Sequence, residues 1–252
     1  MHSFSDFCFQ DILLYGISFI TLNTQLSNGK TALHLAVEYN SPAAITTLMT
    51  NGIDDTIKDS TGNTALHLSV GSGLTAASFT IISLTARANI DILDGSGRSA
   101  LHLAVGNNNE VVTSALLRKG AQANLKNPVG LAPLIIATGN QLTAQMGALL
   151  NGGANPNLPI ATTGWAPLHI AAGLGYSLPA KILLAKTATN KDLKELTGGY
   201  TPLHIAAGNN RASIVSALLA KGASATILDN NGHTAKQEAA ELGYTNIVAL
   251  FP

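Results

Sequence analysis

The chain has 252 residues, of which 46% are hydrophobic and only 11% are charged, and its formal net charge is zero. Such a chain lacks the basic surface that nucleic acid or an anionic membrane would require, so we expect neither as a partner. The single cysteine, Cys8, excludes a disulfide framework within the chain and indicates a reducing, cytoplasmic setting.

The first segment, residues 1–25, is predicted to be a degenerate part-repeat that caps the N-terminal end. Its longest apolar run, Ile12–Leu22, is too short to span a bilayer and lacks the basic flank of a signal peptide. The phenylalanines of this segment are unusual at an outer end, since terminal units normally present a polar face. Two interpretations stay open: the segment packs as a makeshift cap, or more protein or a partner covers it.

Beyond this segment, one six-residue pattern recurs through the chain. It reads TALHLA at Thr31, TALHLS at Thr64, SALHLA at Ser99, APLIIA at Ala132, APLHIA at Ala166, TPLHIA at Thr201 and TAKQEA at Thr234. The spacings between successive copies are 33, 35, 33, 34, 35 and 33 residues. Self-similarity at this period predicts a stacked array of small units rather than a globule with one centre.

Each hexamer has the features of a helix start. A threonine or serine at the N-cap offers its hydroxyl to a free backbone N–H, and Pro133, Pro167 and Pro202 stand at the first helical position, where no N–H is needed. Turn residues precede the hexamers, and a second amphipathic helix follows. In four units this second helix is predicted to end at a glycine, namely Gly52, Gly120, Gly153 and Gly222.

A turn and two helices within about 33 residues, together with the TPLH tetrapeptide at Thr201–His204, resemble the ankyrin repeat. The resemblance covers residues 26–252 and implies an all-α ankyrin-repeat solenoid of helix–turn–helix units with β-hairpin-like turns. We predict a single domain over 1–252 with six to seven repeats. After the cap at 1–25, the repeats are predicted at 26–58, 59–93, 94–126, 127–160, 161–195 and 196–228, with a C-terminal capping repeat at 229–252.

The last repeat departs from the pattern in a way that suits an end. Lys236, Gln237 and Glu238 stand where the other repeats have mostly apolar residues around the histidine. Polar residues are what a solvent-facing cap requires. Gln237 is also predicted to form a capping box with Thr234.

Five of the seven histidines occupy the fourth position of the hexamer: His34, His67, His102, His169 and His204. Stacked helices lie about 8–10 Å apart, so these side chains cannot converge on one metal ion, whose ligands lie at about 2 Å from it. We expect each to bond to its own N-cap and to neighbouring backbone, as the family's histidine does. Ile135 takes this place in one repeat, which is expected to be a softer link. No nucleophile, phosphate-binding or metal motif is complete, so we predict no catalytic, cofactor or metal site and no enzyme.

The family's concave face implies that the residue before each hexamer points into the groove. In three consecutive repeats these residues are Leu131, Trp165 and Tyr200, and they are flanked by Arg98 and His233. Because Trp, Tyr and Arg are enriched at interface hot spots, we predict that this row contacts a partner. The alternative is that the side chains lie flat against the neighbouring hairpin and stiffen the array.

Two further features concern that groove. Tyr39, next to Glu38, is predicted to form a second, weaker patch. Glycines end the first helix of five repeats and should leave the inner wall bare; they are Gly71, Gly106, Gly139, Gly173 and Gly208. With so few charges, recognition is expected to be mostly apolar and hydrogen-bonded.

The sequence therefore predicts a monomeric, non-catalytic scaffold that binds a partner protein in its concave groove. The alternative is a substrate-recruiting arm of a larger enzyme or host-directed effector, with the catalytic domain outside this chain. The cytoplasm is the predicted location, and secretion into a host cell is kept as the alternative. The sequence does not identify the partner.

Overall fold

A computed structural model describes residues 22–252. Most of the predicted cap at 1–25, with Cys8 and nearly all of the apolar run, lies outside the described residues. The chain divides into two compact units, Met1–Gln122 and Ala123–Pro252, called here the N-terminal and C-terminal units. Within residues 22–252, no helix is both long and apolar enough to cross a membrane.

The N-terminal unit is built from helical hairpins in two layers. Its helices are α1 (Ala32–Glu38), α2 (Pro42–Thr50), α3 (Ala65–Gly71), α4 (Thr75–Leu84), α5 (Ala100–Gly106) and α6 (Glu110–Lys119). The odd-numbered helices pack side by side as an inner layer, and the even-numbered helices pack behind them as an outer layer. A 3₁₀ turn at Arg87–Asn89 follows α4 in the repeat that is two residues longer than its neighbours.

The C-terminal unit repeats this two-layer arrangement. Its helices are α7 (Pro133–Gly139), α8 (Thr143–Asn151), α9 (Pro167–Leu174), α10 (Ser177–Leu184), α11 (Pro202–Gly208), α12 (Ala212–Ala220), α13 (Ala235–Glu241) and α14 (Thr245–Val248). The odd-numbered helices again form the inner layer. The all-α prediction is confirmed, and in the described part of the chain the extended pairing is limited to isolated antiparallel bridges at Leu93–Ser99 and Leu228–Thr234.

The inner helices begin where the hexamers predict. In α11, His204 N–H donates to Thr201 Oγ1 at 3.4 Å, and Thr201 N–H donates to His204 Nδ1 at 3.3 Å. The capping box predicted for α13 is confirmed, since Thr234 N–H donates to Gln237 Oε1 at 2.8 Å. Proline occupies the first turn of α7, α9 and α11, as expected for a position that needs no N–H.

The outer helices end at the predicted glycines. All four have a positive φ, which reaches 99° at Gly120, the C-cap of α6. Glycine adopts this left-handed backbone readily, so the chain can turn sharply after these four helices. Two other outer helices, α4 and α10, have Thr85 and Ala185 as C-caps, both with a negative φ.

The core is a ladder of leucines between the two layers. The first three hairpins of the C-terminal unit each bury one leucine from each layer, as with Leu168 and Leu183, or Leu203 and Leu218, whereas the last hairpin buries Ala239 and Ile247. Burying such a side chain contributes about 1.5–3 kcal/mol. Every repeat therefore has its own small core, and contacts between repeats join these cores into one per unit.

Candidate protein-binding face

In the C-terminal unit, the turns that precede the inner helices form a row. Leu196 N–H donates to the Thr163 carbonyl at 3.1 Å, and Asn230 N–H donates to the Gly198 carbonyl at 2.8 Å. These backbone bonds join neighbouring turns, so the residues that the turns carry follow one another along one edge. The residues of this turn row are half-buried and are Leu131, Trp165, Tyr200 and His233.

The turns that carry the two aromatic residues are one residue longer than their neighbours. Ile160 N–H donates to the Trp165 carbonyl and Glu195 N–H to the Tyr200 carbonyl, both at 3.0 Å and both across five residues. The following turn, which ends at His233, closes across only four residues at 2.8 Å. Sequence spacing alone did not locate these insertions, because an extra residue can lie anywhere within a repeat. The two aromatic side chains thus stand on enlarged turns.

A buried carboxylate fixes the turn beneath Tyr200. Glu195 accepts backbone N–H groups from Thr197 at 2.8 Å, Gly198 at 2.5 Å and Tyr200 at 3.1 Å. Burial would raise the pKa of Glu195, but these donors outweigh burial and the pKa is lowered. The carboxylate is therefore ionised at neutral pH, and it holds the backbone of the enlarged turn in place.

The ring of Trp165 folds onto the inner helix of its own repeat. A Cβ atom added at Gly173 would lie 3.1 Å from Trp165 Cζ3, 3.2 Å from Cη2 and 3.5 Å from Cγ2 of Ile205. The ring centroid lies 6.4 Å from that of His169. Trp165 thus covers a glycine that was predicted to leave the wall bare. It packs on α9 and, being half-buried, still presents part of its surface to solvent.

Tyr200 takes a different direction from Trp165. Its ring lies over Gly198 of its own turn, and its centroid lies 6.1 Å from that of His204. Burial raises the pKa of Tyr200, and nearby carboxylates, with Glu238 foremost, raise it further. Glu238 belongs to the neighbouring helix α13.

Glu238 replaces the aliphatic residue that stands at this place in the other inner helices, such as Ile205 in α11. A Cβ atom added at Gly208 would lie 2.9 Å from Glu238 Oε1, so the carboxylate lies next to the backbone of α11. Its Oε2 is buried and has no hydrogen-bond partner among residues 22–252. Of the three polar residues predicted to face solvent in α13, only Gln237 is fully exposed.

The surroundings of Glu238 raise the pKa of its carboxyl group above the ordinary value. Burial raises the pKa of the carboxyl group, and Asp229 and Glu241 raise it further, while His233 opposes them. His233 Nε2 lies 3.6 Å from Glu241 Oε1, with the two side chains 39% and 61% exposed. Such an exposed pair is weak. The C-terminal end of the turn row is thus polar and locally acidic.

The comparisons with known proteins agree with this geometry. The family model of the ankyrin repeats matches in three copies, over residues 6–81, 75–160 and 168–251. The chain belongs to the ankyrin repeat family. Ankyrin repeats are generally protein–protein interaction modules and are typically non-catalytic. A comparison with curated proteins gave no match.

Among solved structures, the chain is similar to the ankyrin repeat domain of Bcl-3, described as a unique member of the IkappaB protein family. The sequence identity is 24%, the TM-score is 0.79, and the match covers 89% of this chain and 99% of that one. The human ASB11 ankyrin repeat domain is similar at 22% identity and a TM-score of 0.67, with 88% of this chain and 99% of that one covered. At these identities the likeness shows the fold alone.

The ankyrin histidines bond to their own N-caps, as predicted, and they also join successive repeats. In the C-terminal unit, Nε2 of His204 bonds to the His233 carbonyl at 3.1 Å, and Nε2 of His169 bonds to the Leu193 carbonyl at 2.9 Å. Because Nδ1 of each ring accepts an N-cap N–H, Nε2 carries the proton and donates it. Burial lowers the pKa of both rings, which keeps them neutral.

The histidines of the N-terminal unit are arranged in the same way, with one difference. Nε2 of His34 bonds to the Asn63 carbonyl at 3.0 Å. Nε2 of His67 is buried and has no hydrogen-bond partner among residues 22–252. Burial lowers the pKa of His67, and Asp94 opposes this lowering. In residues 22–252, no group of three or more His, Cys, Asp or Glu side chains could hold a metal ion.

The two remaining predicted contact residues also lie in the N-terminal unit. Arg98 bonds to Asp94 of its own turn: Nε and a terminal guanidinium nitrogen each lie 2.9 Å from Asp94 Oδ2. The Arg98 side chain is 46% exposed. Tyr39, which follows α1, is 59% exposed. The adjacent Glu38 pairs with Lys30. Sequence reasoning missed Glu238 as a groove residue; its signal was a carboxylate at an aliphatic position.

Proposed function

We propose that this ankyrin chain is a monomeric, non-catalytic scaffold that binds a partner protein through the turn row of its C-terminal unit. Trp165 and Tyr200 are the proposed anchors, with Leu131 and His233 beside them. The observation that supports this most is that both half-exposed aromatic residues stand on enlarged turns. Side chains held by a rigid backbone lose little freedom on binding, so more of their contact energy appears as affinity.

Apolar residues at the turn tips extend the proposed contact surface. Leu196, in the turn of Tyr200, is 67% exposed, and Val129, in the turn of Leu131, is 68% exposed. Exposed apolar residues next to half-buried aromatics are typical of a protein-binding patch. In the N-terminal unit, Arg98 and Tyr39 are proposed as further contacts because both side chains are exposed.

The proposed location is the cytoplasm, supported by the single cysteine in the sequence. In the sequence, the alternative of a recruiting arm was favoured by the apolar N-terminal end. That end lies mostly outside the described residues. Nothing in residues 22–252 favours it over a simple scaffold.

The test compares the wild-type chain with a Trp165→Ala, Tyr200→Ala double variant as bait in cell lysate, with captured proteins quantified by mass spectrometry. The control is Leu178→Ala, which truncates an equally apolar side chain that is 57% exposed on the outer helix α10. Captured candidates are then purified and their affinity is measured by calorimetry. We expect the double variant to lose at least about 2 kcal/mol of binding free energy, which is about thirtyfold in Kd.

Equal affinity for the wild type and the double variant would refute the proposed site. Circular dichroism and thermal unfolding establish whether the double variant is folded. Loss of the folded state in that variant would show that the two aromatics are packing residues, and it would also count against the proposal.

A further inference from the structure

The acidic end of the turn row gives chemical information about the partner. Inner helices elsewhere present an aliphatic side chain at the position of Glu238, and Ile205 is 7% exposed there. Glu238 instead places a carboxylate beside the bare backbone of Gly208, with Oε2 buried and unpaired among the described residues. A buried acceptor without a donor is unfavourable, so this arrangement costs stability in the free chain.

The groups that act on Glu238 do not supply the missing donor. Asp229 and Glu241 are carboxylates, and His233 contacts Glu241 rather than Glu238. Lys236, on the same helix, donates to the Pro252 carbonyl at 3.0 Å. The local charge is therefore negative, and a positively charged group from outside would complement it.

The neighbouring rings define the shape of the complementary group. The Tyr200 ring stands at the start of α11, with its centroid 6.1 Å from that of His204. The Trp165 ring and Cγ2 of Ile205, a residue of α11, both lie within 3.5 Å of the place that a Cβ atom at Gly173 would take. An aliphatic stem could pack on Ile205 and Trp165 while a cationic head meets the carboxylate. Aromatic faces also attract cations, and long basic side chains bury their stems in this way.

We propose that the partner inserts a lysine or arginine side chain over α11, with its charged head at Glu238 and Tyr200 and its stem against Ile205 and Trp165. This inference rests on the proposed function, because it assumes that the turn row is the binding surface. It adds a charged contact to recognition that the composition of the chain predicted to be mostly apolar. Glu238 is then a specificity residue whose accessible carboxylate surface meets a cation in the complex.

The test uses the full chain to select binders from a phage-displayed library of random linear peptides. Selected peptides are synthesised, and their Kd values are measured against the wild type, Trp165→Ala, Glu238→Gln and the control Glu110→Gln. The control removes the same charge from the exposed first turn of α6 in the other unit. For each peptide, the basic residue is also replaced by norleucine, which keeps the stem and removes the charge.

The expected result is a shared lysine or arginine in the selected peptides. Glu238→Gln should weaken their binding about tenfold to a hundredfold, the range of a hydrogen bond between charged groups, and Glu110→Gln should not. In a double-mutant cycle, the effects of Glu238→Gln and norleucine should not add, because both remove one interaction. Thermal unfolding of each variant shows that the change is not a loss of fold.

The failures of the two proposals are distinguishable. Peptides that require Trp165 but lack a basic residue, or bind Glu238→Gln as well as the wild type, would overturn the inference and leave the proposed function standing. If no selected peptide depends on Trp165, both are overturned.

Discussion

Glu238 should lower the stability of the free protein, and replacing it with leucine should raise the free energy of unfolding. Leucine removes the unpaired Oε2 and restores the kind of side chain that Ile205 provides in the preceding repeat. Glu238→Gln removes the charge but keeps a polar atom at this place, so it should give a smaller gain than leucine. This prediction does not need the partner to be known.

The magnitude follows from the burial of the side chain. An unsatisfied buried polar group costs about 1–3 kcal/mol, and we take about 1 kcal/mol because water screens the exposed half of Glu238. A half-buried leucine contributes about 1 kcal/mol more. Glu238→Leu should therefore stabilise the C-terminal unit by about 2 kcal/mol.

The pH dependence gives a second, independent check. Because the folded pKa of Glu238 is raised above its ordinary value of 4.5, the carboxylate destabilises the fold where it is ionised. This destabilisation is absent below the ordinary pKa and develops as the pH rises through the raised one. The advantage of Glu238→Gln over the wild type should thus be full at neutral pH and shrink on acidification.

The assay is urea unfolding followed by tryptophan fluorescence. Trp165 is the only tryptophan, and it lies in the same unit as Glu238, so its signal reports the unfolding of that unit. Glu241→Gln is the control, since it removes the same charge from an exposed side chain of the same helix and should change stability by less than about 0.5 kcal/mol. Equal or lower stability of Glu238→Leu, or an advantage of Glu238→Gln that does not change with pH, would refute the reasoning.

Two further predictions concern the helix starts and the turns of the repeats, one in each unit. Thr201→Ala removes an N-cap hydroxyl and should lower the free energy of unfolding by about 1 kcal/mol. Ala166→Thr adds a hydroxyl at the equivalent place and should raise it by a similar amount. Both are measured by urea unfolding, and a stabilising Thr201→Ala would contradict the capping argument. Gly62→Ala and Gly73→Ala both strain a positive φ by about 1–2 kcal/mol, but only at Gly62 would the new Cβ meet backbone, 2.5 Å from the Gly95 Cα. Thermal unfolding should therefore show the larger loss for Gly62→Ala, and equal losses would show that contact between turns is unimportant.

The positions of the helices and turns could be predicted from the sequence because the signals for them are local. The hydroxyl of Thr201, the proline after it and the imidazole of His204 all act within one helical turn, and repetition confirms their register. The direction of the Trp165 ring depends on Gly173, which lies in α9 of the same repeat, and on Ile205 in the next repeat. The direction of the Glu238 side chain depends on the backbone at Gly208, in the neighbouring helix α11. Such contacts between elements have no periodic signature, so the candidate site was predicted by position but not by shape.

The departures from the repeat pattern are themselves informative, because the hydrogen bonds that join neighbouring repeats are kept in spite of them. In the pairs that begin at His34 and His204, Nε2 reaches the carbonyl of the residue before the next hexamer. His169 reaches Leu193 instead, and the bridge between repeats is kept. Other repeats have turns that close across four residues and an aliphatic residue at the position of Glu238. The enlarged turns and the carboxylate are therefore not general features of the repeat. Departures from the repeat pattern that lie together on one face are the observations on which the proposed binding site rests.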